Sequence, residues 1–271
     1  MDKSYVPSSH NPQHPLLQAK DIHMDFNFSD EKVSILRSVN FTITDNSFNI
    51  IYGASGSGKS TLLNILTGLQ KPTKGTLDVE GRSLYDYTPD ELARFRAHRI
   101  GIVYQQNYWV HSLNVIENIS LPLYFLGYSR AEASSLALIS LERVDMVGYA
   151  KKYPTMLSGG EQQRIAMARA LVNDPRIIIA DEPTGSLDSK NGDKIMGLLS
   201  KIKNEYRRTI ILVTHNMEYL PLANYLLHIQ DGNVQELKSG SIRAATNELM
   251  RDMKQRIDRL SGVNKTEETK K

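Results

Sequence analysis

Four short runs of consecutive apolar residues punctuate this chain: Phe48 to Tyr52, Ile100 to Tyr104, Ile177 to Ala180 and Thr209 to Val213. Runs of that length, each bounded by polar residues, predict strands buried on both faces, as in a parallel sheet covered by helices. The N-terminal part behaves differently. From Leu16 to Phe28, and again from Val33 to Thr44, apolar and β-branched residues alternate with polar ones around Ser29-Asp30-Glu31, which predicts an antiparallel pair. A further short strand is expected at Thr76-Leu77-Asp78-Val79, between turns at Lys71 to Gly75 and Glu80-Gly81. Tyr225 to Gln230 and Asn233 to Leu237 flank Asp231-Gly232, a two-residue hairpin signal.

Helical patterns fill the spaces between the buried runs. Leu62 to Leu66 follows the first run, and Pro89-Asp90-Glu91 opens a helix with proline first and acids in the first turn. Leu113 to Val147 predicts two helices broken near Gly127-Tyr128-Ser129. Leu157 onward opens a long helix through Leu171, and Lys190 to Tyr206 reads as another. The organisation expected is a lead-in over 1–15 without order, one unit over 16–240 with a helical insertion at about 107–157, and a C-terminal segment over 241–271. In that last segment Leu249, Met253, Ile257 and Leu260 recur at helical spacing before a charged end. Such a helix can dock on its own domain, pair with its copy or touch a membrane surface.

Composition narrows the classes. The formal charge is only +3 over 271 residues and no dense basic block stands out, so nothing argues for a nucleic-acid partner. The absence of cysteine excludes disulfides, thiol catalysis and cysteine metal sites. No apolar run approaches the roughly 20 residues of a membrane span, and no secretory leader is visible. The expectation is a soluble cytoplasmic protein whose membrane role, if it has one, comes through a partner.

The chemistry concentrates at the ends of the buried runs. Gly53-Ala54-Ser55-Gly56-Ser57-Gly58-Lys59-Ser60-Thr61 joins a strand to a helix and fits G-x-x-x-x-G-K-[ST], a loop whose N–H groups and helix dipole cradle phosphates. Lys59 is placed to reach the β- and γ-phosphates, and the Ser60 hydroxyl to ligate Mg²⁺. At the end of the third run, Asp181 can hold the metal and Glu182 can polarise an attacking water. Taken alone that pair would read as a helix cap. His215, after the fourth run, can hydrogen-bond the γ-phosphate. Gln105, after the second, offers a carbonyl for Mg²⁺ and an amide for the water. Ser158-Gly159-Gly160 opens a helix and forms a second anion site, which one nucleotide in one chain does not need. Two copies arranged head to tail would use both. Phe26 can either stack on a base or fill the core.

These motifs, in this order, resemble those of ABC-transporter nucleotide-binding subunits over about Leu16 to Leu237. The residues concerned are the P-loop Gly53 to Thr61, a glutamine loop at Gln105, the signature Leu157-Ser158-Gly159-Gly160-Glu161-Gln162-Gln163, Walker B at Ile177 to Glu182, a D-loop at Ser186-Leu187-Asp188 and a switch histidine at His215. Pro183 to Asp188 and the Glu-Gln-Gln-Arg form of the signature are most similar to the MacB, LolD and FtsE group, which serves macrolide or lipoprotein export or control of cell-wall hydrolases. The resemblance implies a P-loop NTPase fold with a RecA-like α/β core, an antiparallel β-subdomain and an inserted helical subdomain. It implies ATP hydrolysis with Mg²⁺, a homodimer, and a separate transmembrane permease at the inner face of the cell membrane. Phe26 then takes the place of the adenine-stacking aromatic, usually tyrosine, and Asp188 joins the nucleotide site. In this family the helical insertion receives a coupling helix from the membrane subunit. Asn107-Tyr108-Trp109-Val110-His111 and Leu121 to Phe125 offer an aromatic surface for it, or pack internally. A regulatory ATP switch that moves no cargo, and a soluble ABC ATPase of DNA repair or translation, are the alternatives; the long coiled coils or duplicated cassettes usual in the latter are missing.

Overall fold

A computed structural model describes residues 15–28 and 31–238, with 240–242, 244, 246, 247, 250 and 251 of the C-terminal segment. The lead-in over 1–14, the turn residues Ser29 and Asp30, the apolar positions Leu249, Met253, Ile257 and Leu260, and the charged end lie outside the described residues.

The buried runs become strands of one sheet. Its order is β10 (Asn233–Lys238), β9 (Tyr225–Gln230), β3 (Phe48–Tyr52), β8 (Thr209–Thr214), β7 (Ile177–Asp181) and β6 (Ile100–Val103). From β9 to β6 every pairing is parallel, and β10 closes the other edge as an antiparallel hairpin partner. The reason these strands read as continuous apolar runs is that both faces are covered. Ile50, Ile178, Ala180, Ile210, Leu212 and Leu226 face one core, shared with the helices. Their neighbours Ile51, Ile177, Ile179, Ile211, Val213 and Leu227 face another, shared with the antiparallel sheet. Successive side chains on a strand point to opposite sides, so each run feeds both cores in alternation.

The antiparallel sheet has the order β2 (Glu31–Thr44), β1 (Pro15–Phe28), β4 (Lys74–Val79) and β5 (Arg82–Ser83). Strand β5 and a 3₁₀ turn over Met217–Leu222 carry no periodic pattern in the sequence. Helix α1 (Lys59–Leu66) lies in the second core, and α2 (Pro89–Arg99) leads into β6. Helices α3 (Val115–Phe125), α4 (Arg130–Arg143) and α5 (Gly159–Leu171) bury Val115, Ile119, Ala137, Leu141 and Ile165 together in the first core; α6 (Ser189–Glu205) adds Ile195, Leu199 and Ile202 to it. Ile242 of the C-terminal segment joins the same core, and Thr246 is buried beside it, its hydroxyl donating to the Ile242 carbonyl.

At the edge opposite the strand ends that carry the motifs, a buried ion cluster ties the two sheets together. Asp45, just after β2 and 2% exposed, accepts from Arg176 Nη2 at 2.7 Å and from Nε at 3.1 Å. Arg176 also pairs with Glu80 of the β4–β5 turn, which holds Arg99 at the end of α2 at 2.8 Å. Removing one partner from a buried ion pair leaves the other charge uncompensated, which costs far more than the pair itself is worth. Asp45→Ala should therefore lower unfolding free energy by about 3 kcal/mol, near the low end for such pairs because Glu80 remains. Urea denaturation checks this; a loss within about 0.5 kcal/mol, the range of ordinary surface changes, would show that the cluster does not couple the sheets.

Candidate nucleotide site

Parallel pairing lines up the strand ends. Tyr52 of β3 stands opposite Thr214 of β8, and Asp181 of β7 stands opposite Val213, so the P-loop, Asp181-Glu182 and His215 emerge on one edge of the sheet. The P-loop turns tightly enough that a Cβ on Gly53 would sit 2.4 Å from the Ile229 carbonyl oxygen and 2.6 Å from Ser57 Oγ. No other residue fits there. Lys59 donates through Nζ to the carbonyls of Gly53 and Ala54 at 2.9 and 2.7 Å, so the loop wraps its own cation.

Helix N-termini separate this loop from the other helix starts of the chain. Helices α2, α3 and α4 each begin with a side-chain cap and an acid three residues on: Thr88 with Glu91, Asn114 with Glu117, Ser129 with Glu132. Helix α6 is capped by Asp188, which accepts from Asn191 N–H at 2.9 Å. Helix α1 alone among α1–α6 has neither: Gly58 precedes it in a left-handed conformation, no side chain caps it, and no acid lies in its first turn. Its N–H groups and dipole keep their full attraction for an anion. The hydroxyl of Ser57 in the same loop is buried without a hydrogen-bond partner, and Ser60 and Thr61 open the helix. This loop fits a phosphate chain. A cleft of about 780 Å³ opens beside it, lined by Gly53 to Ser57, His215, His228 and Ser34 among others.

Next to the loop, the carboxyl of Asp181 is pushed above the usual carboxylate range, first by burial and then by its neighbour Glu182, with Lys59 close enough to oppose both. A half-buried carboxylate of this kind is a fitting Mg²⁺ ligand. Glu182 is held in a left-handed backbone conformation (φ 46°), an arrangement that costs a non-glycine residue energy. Its N–H donates to the Val213 carbonyl, and one carboxylate oxygen lies 2.7 Å from His215 Nδ1. Gln105 reaches the same place from β6: its amide nitrogen would stand 2.9 Å from a Cβ on Gly185, so glycine there makes room for it beside Glu182.

Not all the predicted residues converge. Ser158, Gly159 and Gly160 stand at the start of α5 against Leu187 and Asn191 of the same chain, next to Asp188, and none of them lines the P-loop cleft. Phe26 is half-buried, packed against the second core opposite Val33, one position from the cleft-lining Ser34. The aromatic stretch after Gln105 divides. Trp109 is taken up internally, donating to Gln162 Oε1 of α5 at 3.0 Å beneath the Arg169 guanidinium, whereas Tyr108 (69%), Val110 (42%) and Phe125 (88%) are exposed. Asn118, fully buried, fastens the same stretch by donating to the carbonyls of Val110, Leu113 and Asn114. Sequence reasoning missed Tyr52 and His228, whose rings meet at 5.5 Å in the cleft wall, because only the β3–β9 pairing brings them together.

With this geometry in place, comparison identifies what the chain resembles. Residues 36–185 match the family described as ABC transporter. The ABC transporter ATP-binding protein MJ0796 of Methanocaldococcus jannaschii is 40% identical over 224 residues, covering 81% of this chain and 95% of that protein. A solved structure described as a dimeric post-hydrolysis state of the cassette MJ0796 bound to ADP and Pi superposes with a TM-score of 0.74 at 39% identity, over 82% of this chain and 98% of that one. The macrolide export ATP-binding/permease protein MacB of Shigella flexneri is 38% identical over 81% of this chain but only 34% of its own length.

The cradle makes a sharp prediction. Gly53→Ala should displace the loop and weaken binding of a fluorescent ATP analogue at least about tenfold, the worth of one charged hydrogen bond, while far-UV circular dichroism stays unchanged. Undiminished affinity would show that the loop tolerates a side chain at its closest approach.

Proposed function

The chain belongs to the ABC transporter ATP-binding family, and from that premise we propose that it is the ATP-hydrolysing subunit of a membrane transporter or mechanotransmission complex, working as a pair of copies. One observation carries the reading: the helix N-terminus that alone among α1–α6 has neither a side-chain cap nor an acid in its first turn lies beside a carboxylate–histidine pair, while the signature helix opens elsewhere on the same chain. In a head-to-tail pair the Lys59 loop of one copy grips the nucleotide, and Ser158, Gly159 and Gly160 of the other copy close over its γ-phosphate. Such a contact is self-complementary and produces two equal sites. The dimeric cassette seen for MJ0796 supports this arrangement.

Within each site the roles follow from position. Gly53 to Thr61 hold the phosphates, Phe26 stacks on adenine, and Asp188 lies beside the lid as it closes. Ser60, Asp181 and Gln105 would hold Mg²⁺, which supplies charge neutralisation of the β- and γ-oxygens. Glu182 accepts a proton from water as the water oxygen bonds to the γ-phosphorus and the bridging oxygen departs with ADP. His215 donates its Nδ1–H to Glu182 and steadies that carboxylate, and it reaches the γ-phosphate only by turning its single N–H away from Glu182. Lys59 spreads positive charge over the β- and γ-phosphates during the transfer.

Among the described residues no helix is long and apolar enough to cross a membrane. In this reading, coupling to a membrane runs through a separate permease at the inner face of the cell membrane. The exposed Tyr108, Val110 and Phe125 suit a docking helix, because apolar side chains left in water gain most from being covered. The fusion of ATP-binding and permease parts in MacB supports such a pairing.

Glu182→Gln separates binding from chemistry. The variant should keep ATP, lose turnover by about 10²- to 10⁴-fold, the range for a removed general base, and accumulate as an ATP-loaded dimer on size-exclusion chromatography. Brisk turnover would show that another group takes the proton from the attacking water.

A further inference from the structure

The lid itself carries a restraint. Ser158 donates to Glu161 twice through one carboxylate oxygen, from its backbone N–H and from its hydroxyl, each at 2.8 Å. Tyr149 hydrogen-bonds the same carboxylate and Lys152 lies close by, with its ammonium 4.1 Å from the centre of the Tyr149 ring. These donors hold the Glu161 carboxyl down to about 2, Tyr149 contributing most and Ser158 next, so the group is ionised at every working pH.

A hydroxyl has one proton. An ionised carboxylate only accepts, so while Ser158 is bonded to Glu161 its proton points back into its own helix. The oxygen then has only lone pairs to offer any partner outside the helix, and a γ-phosphate needs a donor. Glu161 also places a negative charge in the first turn of α5, offsetting the dipole that would attract that phosphate. We propose that Glu161 is a positioning residue that restrains closure: it holds the Ser158 proton away from the incoming nucleotide and sets the ATP concentration at which two copies close. This rests on the reading that Ser158 of one copy meets ATP held by the other. Closure then requires Ser158 to rotate its O–H from the Glu161 carboxylate to a phosphate oxygen. A permease that tilts α5 has a bond it can loosen.

Glutamine at this position removes the charge and keeps the shape. With its amide oxygen where Oε2 stands it still accepts from the Ser158 N–H and hydroxyl, but as a neutral acceptor it holds the hydroxyl proton less tightly and no longer offsets the helix dipole. In a Glu182→Gln background, which retains ATP, Glu161→Gln should lower the ATP concentration for half-maximal dimerisation about tenfold, the worth of one charge-assisted hydrogen bond. The gain should shrink with added salt as the charge contribution is screened, and most of it should vanish when Ser158→Ala is added. Tyr149→Phe, which leaves Ser158 a larger share of the carboxylate, should shift the midpoint the other way. It serves as the test if Glu161→Gln fails to fold. An unchanged or raised midpoint in Glu161→Gln overturns the restraint, as does a lowered one in Tyr149→Phe. Ser158→Ala alone separates the two ideas: if it leaves the midpoint untouched, the shared-site reading fails, and if it weakens dimerisation while Glu161→Gln changes nothing, only the restraint does.

Discussion

The hydrogen-bond register of β3, β8 and β7 is the constraint on which the site depends. Because the three strands are parallel and nearly in step, Tyr52, Thr214 and Asp181 finish within one residue of a common line. Everything chemical hangs just past that line: the P-loop after β3, His215 after β8, Glu182 after β7. A parallel sheet gathers its strand ends in this way without any side-chain specificity, so the same frame can carry many chemistries. Here the pairing is over-determined. The apolar side chains of β3, β7, β8 and β9 alternate between two cores on opposite faces, and a slip of one residue would exchange them between cores. The left-handed Glu182 can persist because both its flanks are fixed, through its own N–H to Val213 and through its carbonyl to Gly185 N–H.

Charge placement then decides which of the anion-attracting helix ends stays available. Of the N-termini of α1–α6, four are spent on the side chains of Thr88, Asn114, Ser129 and Asp188, and a fifth, at Ser158, carries Glu161 in its first turn. The sixth, at Lys59, keeps its donors and gains a lysine. The lid helix is an intermediate case. It has the glycines of an anion site and the acid of a cap, so its attraction for phosphate is present but held in check by Glu161. The segment between Gln105 and α3 bears on the same helix: Trp109 is bonded to Gln162 and Arg169 to the Asn107 and Tyr108 carbonyls. The segment that follows Gln105 is therefore bonded to the residue next to Glu161.

Much of this was legible in the sequence because its signals are local. Strand β7 is four isoleucine or alanine residues followed by two acids, and α2 announces itself with a threonine, a proline and two acids. Such patterns act through nearest neighbours and survive any tertiary arrangement. The division of the aromatic stretch was not legible. Whether Trp109 or Tyr108 turns inward depends on Gln162 and Arg169, more than fifty residues away, and residue type alone does not distinguish them. The Arg176–Asp45–Glu80 cluster was invisible for the same reason, since its members are 131 and 96 residues apart with no period linking them. Strand β5 is only two residues long, too short to carry an alternation. Phe26 shows where residue logic and resemblance diverge: its partial burial against the second core is what packing dictates, and only the resemblance suggests a base for it to stack on.

A nucleotide held by the Lys59 loop of one copy and covered by Ser158 of the other is tested most directly by mixing two inactive variants, Lys59→Ala and Ser158→Phe, under conditions of subunit exchange and measuring ATP turnover. In a mixed pair one site combines both defects while the other has an intact loop and an intact lid, so turnover should appear in the mixture although neither parent shows it. If the mixture stays as inert as its parents while exchange is verified by a fluorescence label on each chain, loop and lid act within one chain and the shared site is contradicted.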